Sequence, residues 1–493
     1  MSTKAFRASL LACSLIGAAG SACGQAAPAT ASQDAKIAAL QAQVDQLTAI
    51  VHALQAAQTA APAPNALAAA PAPAPLNTSA PVNIAAASAP VQIAAATPSA
   101  ALAHSADKKK KAWYEKLMIR GYTQLRVNEI ISGDRTAPAG ISRLRSVQDA
   151  GINDNGNFSI RRARLVLQGD ISDRVSLYMQ GDLAAAVSNQ SGTERRENFF
   201  QMRDAYADVF LDKAKTLRVR LGQSKVPFGW ENMQSSSNRI PLDRTDAINA
   251  PVPGERDLGI VAYYTPPKIQ KIWDALTADG QKLFGNYGAF GVGVFNGQSI
   301  NRTERTSGMM TVAMASIPVR LDGLGGMFEG QVAEFGASGI RNAFRPEVRG
   351  GAVSTLAYRD DHIAVHGMIY PKPFGIQAEW TWGRAPQWDP AKADIVTRRT
   401  TGGYVMGMFR ADHTPIGQII PFARWQHYRG SWKAAINAPA LDTDELEAGV
   451  EWLPMKELEL TVSYANVKRN EADERRTGRA TGDLVRAQVQ WNY

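Results

Sequence analysis

The 493-residue sequence has only two cysteines, Cys13 and Cys23, and both lie in or beside its amino-terminal segment. A chain trimmed there carries neither disulfide nor thiol chemistry. Beyond that segment no apolar run approaches the roughly 18 consecutive residues that a spanning helix needs. If this chain crosses a membrane, it crosses with strands. Enzymatic signatures are scarce as well. Gly291-Val292-Gly293-Val294 lacks the third glycine and the helix of a dinucleotide site. No Gly-x-Ser-x-Gly elbow occurs, so a barrel lipase would have to use His427 or His413 beside a serine. His362 and His366 are four apart, which in a strand is about 13 Å, too far for one zinc ion. The sequence therefore calls for no catalytic residue, no cofactor, no metal and no nucleic-acid partner.

The amino terminus reads as an export signal over residues 1–26. Lys4 and Arg7 precede an apolar stretch from Leu10 to Ala19, and the small residues Gly20, Ser21 and Ala22 follow. Cleavage near Ala22 or Ala26 fits this layout. Lipidation of Cys23 is the alternative, although the bulky aliphatic residue expected three positions upstream is missing. Next, Ile37, Leu40, Val44, Leu47, Val51 and Leu54 are spaced 3-4-3-4-3, the a/d pattern of a coiled coil over 33–58. Residues 59–112 form a linker rich in Ala and Pro that cannot bury a core. It ends in the basic run Lys108 to Lys111.

From Trp113 to Tyr493 the chain becomes a series of short alternating segments. In the last ten residues Val485, Ala487, Val489, Trp491 and Tyr493 are apolar or aromatic, while Arg486, Gln488, Gln490 and Asn492 are polar. Such a strand suits a wall between lipid and water. Loop lengths favour a transmembrane barrel over a soluble sandwich. Long connections at Glu129–Asn157 and Lys225–Arg256 and a medium one at Val187–Asn198 alternate with tight ones at Gly169–Asp173 and Asp212–Lys215. Short inner turns and long outer loops are the rhythm of such barrels. The connection Pro266–Lys282 departs from it, being too long for an inner turn. Sixteen or seventeen strands can be counted. An even number is needed, so one candidate between Gly308 and Tyr370 must be false or two must be one, and sixteen is expected.

An arginine facing lipid near mid-membrane costs about 2–4 kcal/mol, so alternation assigns Arg162, Arg164, Arg218, Arg220 and Arg486 to the lumen. Residues 1–104 hold three basic and two acidic groups, so +8 of the formal +9 belongs to the remainder. Part of that charge can serve outer loops that meet lipopolysaccharide phosphates. Glu379, Glu447, Glu451 and Glu459 also read as inward-facing and would weaken an anionic preference.

Five motifs then occur in order. They are Arg161-Arg162-Ala163-Arg164, Asp204-Ala205-Tyr206, Gly222-Gln223-Ser224-Lys225-Val226-Pro227-Phe228-Gly229-Trp230-Glu231, Ser235-Ser236-Ser237 and Gly254-Glu255-Arg256-Asp257-Leu258-Gly259. As a set they resemble the phosphate-selective porin O and P family. The resemblance implies a sixteen-stranded trimeric barrel in the bacterial outer membrane whose third outer loop folds into the pore. Basic side chains would guide inorganic anions, phosphate or polyphosphate among them. It adds Arg161, Lys225, Arg239, Arg244 and Arg256 to the expected pore lining. A reading from a different class makes the barrel an anchor and the coiled coil a tether to a periplasmic partner such as peptidoglycan.

Overall fold

In a computed structural model the described residues are 112–134, 156–185, 199–285, 287–472 and 479–493, with single positions at 45, 144, 149 and 152. Apart from Asp45 and Ala112, the export signal, the coiled coil, the linker and the lysine cluster expected from the sequence lie outside them.

The barrel begins with β1 (Met118–Gly133), β2 (Asn157–Ser172), β3 (Val175–Ala185), β4 (Phe199–Phe210) and β5 (Leu217–Lys225). It continues through β6 (Arg256–Tyr264), β7 (Phe290–Phe295), β8 (Met310–Arg320), β9 (Val332–Arg341), β10 (Asp361–Ile369) and β11 (Phe374–Asp389). β12 (Asp394–Phe409) is broken at Arg410 and resumes over Ala411–Thr414, so both pieces pair with β13 (Gly417–Ser431). β14 (Ala440–Met455), β15 (Leu458–Ala472) and β16 (Arg479–Asn492) complete the wall. Every neighbouring pair is antiparallel, and β16 closes on β1 in a register that sets Tyr122 opposite Asn492. Sixteen strands result. The surplus candidate corresponds to a two-residue pairing of Ala343–Phe344 with Tyr358–Arg359, which stands apart from the barrel sheet.

The polarity of this wall is reversed relative to a soluble protein. Leu165, Leu221, Ile260, Val292, Ile363, Val405, Val450 and Val462 are exposed on its outside, while Arg126, Arg164, Arg220, Glu379, Arg424, Glu447 and Arg486 are buried inside. Period-two strands sort residues in this way only when lipid covers the outer face. Aromatic rings mark the rims. Phe374 and Phe409 pack at 4.9 Å and Tyr264 and Phe290 at 6.3 Å near the inner end. Trp380, Trp382 and Trp425 stand toward the outer end. The terminal Tyr493 lies against β1 at Gly121, where a Cβ would come within 2.5 Å of its ring. Only glycine leaves room for that ring.

Two segments fill the lumen. The first is the connection from β5 to β6, here called the third loop, with α1 (Trp230–Met233) and α2 (Asp246–Asn249). It is buried along nearly its whole length. The second is the overlong inner connection from β6 to β7. It holds α3 (Pro267–Ala278), which turns Trp273 and Leu276 inward and packs Ile269 and Ile272 beside them. The spacing 269, 272, 273, 276 is one helical face. Together they build an apolar cluster inside the barrel, joining Phe228, Trp230 and Met233 of the third loop to Trp273, Leu276, Leu283 and Phe284.

Candidate functional site

The third loop leaves the wall at Lys225 and returns at Arg256, its neck closed by the Val226 N–H donating to the Glu255 carbonyl at 2.9 Å. Between these points it visits most of the circumference. Gly229, at φ +76°, donates its N–H to Ser338 of β9 at 3.0 Å. The Trp230 and Glu231 amides then donate to the Glu379 carboxylate on β11, at 2.6 and 3.0 Å. On the far side Ser236 meets Tyr122 and Arg164, and its carbonyl accepts from Gln124. Asp243 is reached by Arg126 and Arg486, and Asp246 by Arg469 at 2.6 Å and Thr443 at 2.8 Å. The loop is thus a diaphragm tied at several points, and a tied loop holds its charged groups in fixed positions.

One buried carboxylate joins three parts of the molecule. Glu334 on β9 accepts from Trp230 Nε1 of the third loop at 2.9 Å and from Trp273 Nε1 of α3 at 2.8 Å. Ser316 of β8 and Tyr370 donate to it as well, at 2.7 and 3.0 Å. Lys282, on the return from α3, crosses to Glu451 and Glu459 at 2.5 and 3.1 Å. Gln234 of the third loop donates to the Lys282 carbonyl at 3.1 Å, which links the two lumenal segments directly.

The ten expected lining residues collect on the wall formed by β1 to β6 and β16 and on the adjoining loop. Arg162, Arg164, Arg218, Arg220, Lys225, Arg239, Arg244, Arg256 and Arg486 are all buried within the barrel. Alternation alone would send Arg161 outward. A bulge in the β1–β2 register skips it, Gln124 facing Arg162 and Leu125 facing Ile160, so Arg161 turns inward beside its neighbour. It lies 3.6 Å from Asp243. A second bulge, in β4 opposite Gln180 and Gly181, skips Arg203, whose guanidinium donates to the Gly254 carbonyl at 3.3 Å.

These cations are more heavily paired than a bare basic lining would be. Arg164 bonds Asp182 at 2.8 Å, and Arg218 and Arg220 share Asp208 at 3.5 and 2.7 Å. Arg220 also lies 3.9 Å over the Tyr206 ring. Lys225, Arg239 and Arg244 converge on Glu255 at 3.0, 2.8 and 2.9 Å, joined by Arg256, which also bonds Asp204 at 3.0 Å. Arg126, Arg161, Arg162 and Arg486 surround Asp149 and Asp243. Those two clusters set eight cations against Glu255, Asp204, Asp149 and Asp243. Burial alone would raise the Glu255 and Asp243 carboxyls. The surrounding cations instead hold both well below the usual carboxylate range.

The acidic residues expected to oppose anions do face inward, Glu379 on β11, Glu447 and Glu451 on β14, and Glu459 on β15 beside β16. Glu379 caps α1, Glu447 bonds Arg424 at 2.7 Å, and Glu451 and Glu459 hold Lys282. Two arginine-rich clefts border the third loop, and a third, lined by Met368, Tyr370, Gln377, Met406, Arg410 and Ile420, borders it on the side of β10 to β13. Of the arginine-rich pair, one lies toward the inner rim, lined by Arg120, Arg220, Lys225, Arg256, Tyr178 and Tyr287. The other lies toward the outer rim, lined by Arg244, Arg424, Arg469, Arg486, Asp243 and Asp246. Sequence reasoning missed Arg126, Arg424 and Lys282. Arg126 between Leu125 and Val127, and Arg424 between Ala423 and Trp425, carried the same alternation signal as the residues it found. His362 and His366 both face inward on β10 but serve different partners, Asp360 at 3.0 Å and Ser316 at 3.1 Å.

Comparison with known proteins agrees with this architecture. The family model described as Phosphate-selective porin O and P matches residues 139–493. No curated protein matches the sequence. Similar solved structures include Salmonella typhi OmpF in complex with daunomycin, at 13% identity and TM-score 0.46, covering 76% of this chain and 97% of that one. Pseudomonas putida OprB is similar at 10% identity and TM-score 0.45, over 77% and 95% of the two chains. The anion-selective porin from Comamonas acidovorans is similar at 13% identity and TM-score 0.41, over 76% and 99%.

Proposed function

Because the chain belongs to the phosphate-selective porin O and P family, we propose that it is an outer-membrane channel for passive diffusion of small anions, inorganic phosphate and short polyphosphates in particular. The observation that carries this reading is the surplus on the basic wall, where among the described residues eight cations stand with four carboxylates in two clusters flanking the third loop. Each pair neutralises one charge, and the remainder sets the potential an ion meets. Two unit charges 8 Å apart interact by about 2 kcal/mol at an effective dielectric of 20, enough for a few uncompensated cations to favour anions. Glu379, Glu447, Glu451 and Glu459 are already engaged by α1, Arg424 and Lys282, which leaves Glu445 as the carboxylate of β14 that lines the outer cleft. The path runs between the outer and inner clefts along β1 to β6, with Arg161, Arg162, Arg164, Arg218, Arg220, Lys225, Arg239, Arg244, Arg256 and Arg486 as its guiding residues. A homotrimer is the expected assembly, and cross-linking of detergent-extracted protein reads it.

Planar-bilayer recording tests the selectivity. In a tenfold potassium chloride gradient the zero-current potential should take the sign of anion permeation. Added phosphate should lower the chloride conductance in a saturable way. A cation-selective or unselective potential would refute the anion path, and no competition by phosphate would refute the preferred solute.

A further inference from the structure

The outer wall carries a second basic feature that the lumen does not use. Arg384 on β11 and Arg399 on β12 stand directly opposite each other, both exposed on the outward face. Like charges placed across a strand pair repel. Neither has a hydrogen-bond or carboxylate partner among the described residues. Asp361 stands opposite Arg384 on the other side, but it is held by Arg359. Arg341 at the outer end of β9 is likewise exposed, and its side chain has no partner among the described residues. Arg429 on β13 is exposed and only loosely engaged by Asp442 at 3.4 Å. Asp444, two residues from Asp442 on the same outward face, accepts from Trp425 Nε1 at 3.0 Å, so three carboxylates, Asp361, Asp442 and Asp444, meet five arginines along this stretch of wall.

Depth gives the arginines their meaning. The Phe374–Phe409 pair marks the inner rim of the same two strands, and Arg384–Arg399 lies ten residues further along the ladder. At about 3.3 Å per residue and a tilt near 40° that is about 25 Å, the height of the apolar band of an outer-membrane barrel. Trp382 stands two residues below Arg384 on the same face of β11 and Trp380 four below, and the Trp380 ring lies 6.1 Å from that of Trp425 on β13. Their close approach is allowed by Gly403, where a Cβ would lie 2.6 Å from Trp380. The cations therefore sit where acyl chains end and headgroups begin.

We propose that this face, from β9 to β13, binds the phosphate groups of a phosphorylated glycolipid of the outer leaflet. Arg384 and Arg399 grip one phosphate between them, Arg341 and Arg429 flank it, and the tryptophans lie along the upper acyl chains. Guanidinium groups suit this role because they meet phosphate oxygens through paired N–H donors. The proposal depends on the barrel's placement in a membrane and not on the selectivity of its lumen.

The test compares full-length wild type with R384Q/R399Q in detergent, by native mass spectrometry, after incubation with phosphorylated lipid A or its dephosphorylated form. Wild type should retain phosphorylated lipid A roughly tenfold better than the variant, and dephosphorylated lipid A should be retained poorly by both. Millimolar inorganic phosphate should not displace the lipid. Equal retention by both proteins, equal retention of both lipids, or displacement by inorganic phosphate would each overturn the proposal. So would loss of the cross-linked oligomer in the variant with lipid retention unchanged, which would make the face a contact between copies. Heat-modifiable migration checks that the barrel has folded. R384K/R399K keeps the charge and should restore most of the retention, so a folding defect in the glutamine variant does not leave the question open.

Discussion

Replacing Glu334 with alanine removes a single side chain that ties the third loop, α3 and the wall together. In the lumenal segments the loss falls on Trp230 Nε1 and Trp273 Nε1, which donate to it at 2.9 and 2.8 Å, and in the wall on the Tyr370 hydroxyl, which donates at 3.0 Å. Ser316 has His366 Nε2 as a second partner at 3.1 Å, so its hydroxyl is not stranded. Each indole N–H left buried without an acceptor costs about 1–3 kcal/mol. The two together weaken docking of both lumenal segments by about 2–6 kcal/mol, which raises the undocked fraction between roughly 30-fold and 10⁴-fold. The barrel ladder itself should survive, because Glu334 keeps its main-chain pairing with Pro318 and Met368. Single-channel recording should show a larger conductance with fast flicker, and tryptophan fluorescence should shift to the red. E334Q keeps one acceptor oxygen and should fall between the two. If E334A matches wild type in conductance, noise and emission, the loop and α3 are not held through this carboxylate and the reasoning fails.

Three further perturbations probe the same lumen. Arg486→Gln removes one cation from the Asp149–Asp243 cluster. After screening this amounts to about 1 kcal/mol, or roughly a fivefold drop in the anion-to-cation permeability ratio, read as a zero-current potential nearer zero. Lys282→Met leaves Glu451 and Glu459 facing each other without a cation. Breaking a buried pair costs about 3–5 kcal/mol, so α3 should detach and selectivity should move toward cations, which protease accessibility of 267–285 and reversal potentials both report. Glu255 lies in the third loop, outside the spanning strands, and its cations hold its carboxyl well below the usual range. A depressed carboxyl stabilises the fold fully above its unfolded pKa of about 4.3 and loses that contribution only as pH falls through the lower folded value. The contribution of Glu255 should therefore be flat between pH 5 and 8, so the difference in reversal potential between wild type and E255Q should not change across that range, and a change would contradict the assignment.

The inward residues that the sequence disclosed are those for which one rule suffices. Arg164, Arg218, Arg220 and Arg486 alternate with apolar neighbours, and lipid forbids the other face. Arg161 breaks the rule because a bulge adds a residue to β2, and bulges leave no periodic trace. Only the motif indicated it. The acidic partners Asp149, Asp243 and Glu255 sit in connections that have no period to read, so the extent of pairing could not be anticipated. The connection after β6 was recognisable as too long, yet its meaning lay in a helical spacing, Ile269, Ile272, Trp273 and Leu276, inside a chain otherwise read at period two.

The same internal packing explains why the strand count was ambiguous between Gly308 and Tyr370. A barrel strand alternates cleanly when its inner face meets water. On this side the inner face meets the third loop and α3 instead, so Val312 and Met314 of β8, Ile340 of β9 and Ala364 and Met368 of β10 are buried and apolar within the lumen. Their outward neighbours, Ile317, Phe335, Ile363 and Val365, are apolar too. Strands greasy on both faces read as continuous runs, and the period that would mark their edges fades. On the opposite side β1, β2, β5 and β16 keep the alternation because their inner faces carry the arginines. Where the pattern is lost, the lumen is filled. Where it is sharp, the wall borders the clefts lined by arginine, and the proposed path of an ion runs there.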